Sequence, residues 1–162
     1  MSSRFIGSLL LTLMFVLCAS SALAQMPNPY GAPISVDNAK KAAAAALAEA
    51  RKNNWTMAVA VTDLGGDLVY FEKMDGTQTG SVNVALGKAR SAALYKRPTK
   101  VWQDIVAGGG AGLRILGLEG AVPIEGGVPL VMDGKIVGAI GLSGGSAQQD
   151  GQCAMAGADA VK

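Results

Sequence analysis

Two short turns decide most of what this chain can fold into. Leu64-Gly65-Gly66-Asp67 separates an alternating run over residues 57–63 from an apolar run over 68–71, and Asp133-Gly134 separates residues 128–132 from 135–143. A short Gly-containing loop between such runs is a hairpin signal, and Asp-Gly is a strong one. Each hairpin forces its strands antiparallel, so the expected sheet is antiparallel with helices packed on it. In the first strand Met57, Val59 and Val61 point one way, and Ala58, Ala60 and Thr62 the other. In the last, Ile136, Gly138, Ile140 and Leu142 share a face. Val137, Ala139, Gly141 and Ser143 make the opposite face, small enough for a helix or ligand to come close.

Before, between and after the hairpins the spacing becomes helical. Ser35 is placed to cap a first helix, with Ile34 ahead of it as a staple, and Val36, Ala39, Ala43, Ala46, Leu47 and Ala50 form its apolar stripe up to Asn53-Asn54. A second helix starts near Ser81 with the stripe Val82, Ala85, Leu86, Ala89 and Ala93. A neighbouring stripe carries Val84, Lys88, Ser91 and Tyr95. Pro98 stops this helix, and Thr99 is placed to cap a short one through Trp102 and Ile105. Gly108-Gly109-Gly110 and Gly112 read as a flexible connector. Ser146, with Gln149 three residues on, forms a capping box for a last helix. The order helix, hairpin, helix, helix, hairpin, helix is that of an α+β sandwich.

Residues 1–24 have the parts of a cleavable signal peptide: Arg4, an apolar run over 5–17, and the small-residue site Ala22-Leu23-Ala24. The apolar run falls short of the ~20 residues that span a bilayer, and Leu17 before Cys18 argues against lipidation. Residues 25–33 hold Pro27, Pro29 and Pro33 and read as an extended arm, leaving residues 34–162 as the domain. A periplasmic or secreted location is expected, with no membrane anchor after cleavage. The formal net charge of +2 is scattered and gives no footprint for nucleic acid. After cleavage Cys153 stands alone, so no internal disulfide is possible, and a buried inert thiol is expected.

Histidine is absent. That removes a Ser-His-Asp triad, a Cys-His dyad and every His-ligated metal or haem, and one cysteine cannot build a thiolate cage. The remaining chemistry must come from loops and scattered charges. The sequence Ser143-Gly144-Gly145-Ser146 lies between a strand and a helix start, where free amides and the helix dipole favour an anion. A tight turn that simply needs glycine explains the same residues equally well. Glu125-Gly126-Gly127 could expose backbone to a ligand or form a bulge. Lys88 is the candidate cation, against the ordinary solvated helical lysine. Asp63, Asp67, Asp75 and Asp150 sit at turns or helix ends, where aspartate is common for structural reasons.

Six stretches in order resemble the GlcG/HbpS family of haem-binding proteins, related to the C-terminal domain of PduO-type corrinoid adenosyltransferases. They are the alanine-rich first helix, Val59-Ala60-Val61-Thr62-Asp63-Leu64-Gly65-Gly66, Lys73-Met74-Asp75-Gly76, Lys88-Ala89-Arg90-Ser91-Ala92, Gly126-Gly127-Val128-Pro129-Leu130, and Gly138-Ala139-Ile140-Gly141-Leu142-Ser143-Gly144-Gly145 with Gln149-Asp150 and Cys153-Ala154. The resemblance implies a profilin-like antiparallel sheet of about five strands with helices on both faces, and a homo-oligomer. It also implies haem or another tetrapyrrole as ligand, in sensing, uptake or degradation. With no histidine, an iron ligand would have to be Met74, Tyr95, Cys153, Lys88 or a hydroxyl.

The pocket expected on this basis draws on Met74, Asp75, Lys88, Tyr95, Gly126, Gly127, Ser143, Gly144, Gly145, Ser146 and Asp150. Within it, the amides of Gly144, Gly145 and Ser146 would meet a carboxylate of haem or another small anionic ligand, with Lys88 as the nearest mobile cation. An exported binding protein fits better than an enzyme, and no protein-bound metal ion is expected. The alternatives are an enzyme acting on a small carboxylate or carbonyl compound through Lys88 and Asp150, and an accessory oligomer of a periplasmic oxidation system.

Overall fold

The computed structural model describes residues 28–162. The signal-peptide expectation for residues 1–24, and the first part of the arm, lie outside the described residues. The elements are α1 (Val36–Lys52), β1 (Ala58–Thr62), β2 (Leu68–Lys73), α2 (Ser81–Tyr95), α3 (Thr99–Ala107), a 3-10 helix (Gly110–Gly117), β3 (Gly127–Met132), β4 (Lys135–Ser143) and α4 (Ala147–Asp159). Every strand pair is antiparallel, in the order β2-β1-β4-β3.

The two faces of β1 go where its alternation sends them. Met57, Val59 and Val61 join the main core with α1 and α4, while Ala58 and Ala60 pack with Ala85 and Ala89 of α2. Helices therefore cover both faces. Small side chains set how close they come. A Cβ on Gly141 would run into the Ala85 carbonyl and sit 2.5 Å from the Ala89 nitrogen, so α2 lies directly on β4 there. On the other face a Cβ on Gly157 would lie 2.6 Å from Ile140 and 2.8 Å from the Ala42 carbonyl, where α4 meets α1. The small strand face and the alanine face of α1 are thus both filled within the chain.

Local chemistry fixes the ends. The Ser35 hydroxyl accepts from the Asn38 amide at 3.3 Å, Asp37 lies in the first turn of α1, and Arg51 and Lys52 lie in its last, each suited to the helix dipole. The capping box at Ser146 and Gln149 forms in both directions. Asp133 and Gly134 take φ of 49° and 71°, the left-handed pair that a two-residue hairpin requires.

Four expectations are corrected. The sheet has four strands, not about five; beside β4 the arm contributes a single parallel bridge, Tyr30 to Ile136, too short to be a strand. Val137 joins Ile140 and Leu142 in the main core, because the register slips opposite it, between Leu130 and Val131, and the alternation shifts. Thr99 is the first residue of α3 and caps nothing, its hydroxyl instead accepting from the Gly127 amide at 2.9 Å. The glycine-rich connector is a 3-10 helix folded back on α3, with Gly112 so close to the Ile105 carbonyl that no Cβ fits.

Candidate functional site

The chain's most unusual side chain is Lys88. It sits on the α2 stripe beside the one packed on the sheet, and is 1% exposed. Its Nζ donates to Asp150 Oδ2 at 2.6 Å and to the Leu142 carbonyl at 3.1 Å. Asp150, in the first turn of α4, is 3% exposed, and its other oxygen accepts from the Gly145 amide at 3.1 Å. Burial pushes the Asp150 carboxyl above the usual carboxylate range, against the pull of Lys88 and of the Gly145 and Gly144 amides. A buried pair of this kind holds only if both partners are present and their remaining hydrogen-bonding sites are met.

A strap over residues 119–127 closes the pair from above. The Tyr95 hydroxyl donates to the Glu119 carbonyl, Ser91 Oγ accepts from the Val122 amide at 3.1 Å, and Gln103 accepts from the Glu125 amide at 2.8 Å. Lys88, Ser91 and Tyr95, the second stripe seen in the sequence, all face this strap or what lies beneath it. Gly126, at φ 127°, is the closure itself: a Cβ there would sit 2.8 Å from Lys88 Nζ, 2.8 Å from Asp150 Cβ and 2.9 Å from the Leu142 carbonyl.

These contacts correct three expectations for the site. Lys88 is neither solvated nor mobile, because its charge is neutralised inside the fold. The amides after β4 are met by the protein's own groups: Gly145 by the Asp150 carboxylate, Ser146 by Gln149 Oε1 at 2.9 Å. Gly126 and Gly127 are buried and expose no backbone; they are glycines because Lys88 and Thr99 pack against them. The predicted residues therefore separate into three places. Lys88, Gly126, Gly127, Gly144, Gly145 and Asp150 meet at the sealed pair, with Ser146 exposed at the α4 cap and Ser143 nearby, bonded to Ser81 at 3.1 Å. Met74 and Asp75 line a polar cleft of about 380 Å³ with Arg51, Glu72 and Lys73. Tyr95 borders a third place. Cys153 lies in the main core with its thiol pushed up to about 11 by burial, so it is protonated at neutral pH.

That third place is an open groove of about 480 Å³ lined by Arg90, Leu94, Tyr95, Glu119 and Gly120, within the usual range for small-molecule sites. The Tyr95 ring stands edge-on to Trp102, with centroids 5.6 Å apart. Leu94 is 43% exposed. Reasoning from sequence names Tyr95 but misses Arg90; its signal is the Lys88-Ala89-Arg90 stretch, where the lysine is the more conspicuous charge. Among the described residues no cluster of His, Cys, Asp or Glu is arranged to hold a metal, and no helix is long and apolar enough to cross a membrane.

Residues 34–159 match the family model described as "Haem degrading protein HbpS-like". The chain is 41% identical to Protein GlcG of Escherichia coli K12 over 100 residues, 62% of this chain and 73% of that protein. Among solved structures it is similar to a double mutant of HbpS from Streptomyces reticuli (TM-score 0.74, 29% identity, 82% of this chain and 89% of that one). It is similar also to a PduOC:haem complex (TM-score 0.72, 28% identity, 80% and 96%). The chain belongs to the HbpS-like family.

Proposed function

From that membership, we propose that the chain is an exported protein that binds haem or a related tetrapyrrole. One contrast carries the reading toward binding. Lys88 and Asp150, the pair an acid–base enzyme would use, neutralise each other under the strap, whereas the groove at Tyr95 is open and has an apolar, aromatic wall. An amphipathic planar ligand suits such a wall. Of the candidate iron ligands, Lys88 and Cys153 are buried and engaged in the fold, the Tyr95 hydroxyl is bonded to the Glu119 carbonyl, and Met74, half-buried against the main core, lines the separate polar cleft away from the Tyr95 groove. The residues present therefore fit haem through its ring faces and carboxylates. When bound, haem would supply redox-active iron. The family description and the haem complex of a neighbour support the ligand class.

Titration of the purified protein with haem, followed in the Soret band, tests this reading. A saturable shift at micromolar haem is expected, and a linear response equal to that of free haem overturns it. Export is supported by the pattern of residues 1–24, and intact mass of the periplasmic fraction should give a chain starting at Gln25. Self-association belongs to the same proposal. The exposed Leu113 and Leu116, at 49% and 64%, suit contact with a second copy. Light scattering that finds only monomer at micromolar concentration removes that part.

A further inference from the structure

Four cations lie on α2 or just after it, and three are taken. Lys88 pairs with Asp150, Lys96 lies 4.0 Å over the Tyr30 ring, and Arg97 lies 4.6 Å over the Trp102 ring. Arg90 is exposed and, among the described residues, has neither a carboxylate within ion-pair distance nor a ring beneath it. Its stem nevertheless lies against the β1–β2 turn. Gly66, at φ 81° in the β1–β2 turn, lies under its stem so closely that a Cβ would be 2.5 Å from Arg90 Cγ and 3.4 Å from Nε. Glycine leaves room for the stem, which any larger residue would have to displace.

This unpaired guanidinium stands at the groove whose other walls are Leu94, Tyr95, Glu119 and Gly120, with the Glu119 carboxylate beyond ion-pair distance. Two other open grooves among the described residues lack that combination. In the Met74 cleft Arg51 is already paired with Glu72 at 3.5 Å, and the groove at Ile34 and Met132 has no arginine and no aromatic ring. We propose that Arg90 is the carboxylate-reading residue of the ligand site, gripping an acid group of a planar apolar ligand whose ring lies on Leu94 and Tyr95. A guanidinium offers two parallel donors to a carboxylate, which gives orientation as well as attraction. The inference rests on the haem reading and adds where, and by which end, the ligand is held.

The test titrates haem and its dimethyl ester, in which both acid groups are capped, into the parent protein, Arg90→Ala and Arg90→Lys, with Lys73→Ala in the Met74 cleft as control. Arg90→Ala should weaken haem binding on the order of tenfold, as expected for one charge-assisted contact, and Arg90→Lys by less. The parent should bind the ester about as weakly as Arg90→Ala binds haem, and Arg90→Ala should bind the ester no worse than the parent does. Lys73→Ala should match the parent, and all variants should melt together with it. If the parent binds haem and Arg90→Ala binds it equally well, the ligand sits elsewhere, and the inference fails while the haem reading stands. Equal losses for haem and ester would show that Arg90 reads no carboxylate. No haem binding by the parent removes both.

Discussion

Lys88 and Arg90 are two residues apart on one helix, and about 200° of rotation separates them. Lys88 is turned under the strap, 1% exposed and ion-paired at 2.6 Å, while Arg90 is turned out over Gly66 without a carboxylate partner. The difference teaches where each charge can act. A sealed charge must be matched by the fold itself, so its contribution is to stability and to the position of the loop after β4. An open one costs the fold almost nothing and is free for a ligand.

The largest effect should come from breaking the sealed side. Lys88→Ala leaves a buried carboxylate unpaired and is expected to lower stability by about 3–5 kcal/mol in urea denaturation. A loss under about 1 kcal/mol would mean that water reaches the pair, and the contrast with Arg90 would collapse. The double variant Lys88→Met with Asp150→Asn should recover part of the loss, since neither remaining group carries a charge. Gly144→Val belongs here as well. The fold offers no space for it, with the Thr56 carbonyl in contact and Met57 Cα at 2.9 Å, so it should unfold the loop rather than serve as a clean test of ligand binding.

Two glycines at positive φ sharpen the comparison. Gly126 closes over the pair and Gly120, at φ 72°, lies on the groove, where an added Cβ would meet only Leu94 within 4 Å, at 3.9 Å. Gly120→Ala should cost only the backbone strain, about 1–2 kcal/mol. Gly126→Ala adds overlap with Lys88 and Asp150, a further ~1–3 kcal/mol. Equal thermal shifts for the two variants would contradict the strap as a tight closure.

A smaller effect should appear at high pH. Burial raises the Cys153 thiol from 9.0 to about 11. The folded chain then holds its proton where the unfolded chain has lost it. Stability from this group is complete below about pH 9 and is lost as pH rises through about 11, by on the order of 2–3 kcal/mol. Cys153→Ala should flatten that part of the stability–pH curve. The smallest effect is expected at Arg90→Ala, within about 0.5 kcal/mol of the parent in stability.

Much of this contrast is legible in the sequence. The turns mark the hairpins, the β1 alternation marks its two buried faces, and the stripe of Lys88, Ser91 and Tyr95 marks a face distinct from the one on the sheet. The partner of Lys88 is not legible. Asp150 stands 62 residues away, at a helix start where aspartate needs no partner to be explained, and no spacing rule links the two. The glycine loop after β4 reads as a place for an anion or a tight turn, yet nothing local says that the anion is the chain's own Asp150. Arg90 is hidden for a related reason. Its place depends on Gly66 lying under it, which only the packing of the β1–β2 turn on α2 reveals.

The way the strap is fastened bears on which of its residues can change. Its anchors at Glu119, Val122, Glu125 and Gly127 are backbone carbonyl or amide groups, and the side chains that hold them belong to Tyr95, Ser91, Gln103 and Thr99. Exchanging the strap's own side chains at 119, 121 and 124 leaves each fastening intact, while altering the holders unhooks it. Among relatives of this chain the strap should therefore drift in letter at those three positions, keep its glycines at 126 and 127 and hold steady in path, with the rest of the constraint written on the two helices beside it.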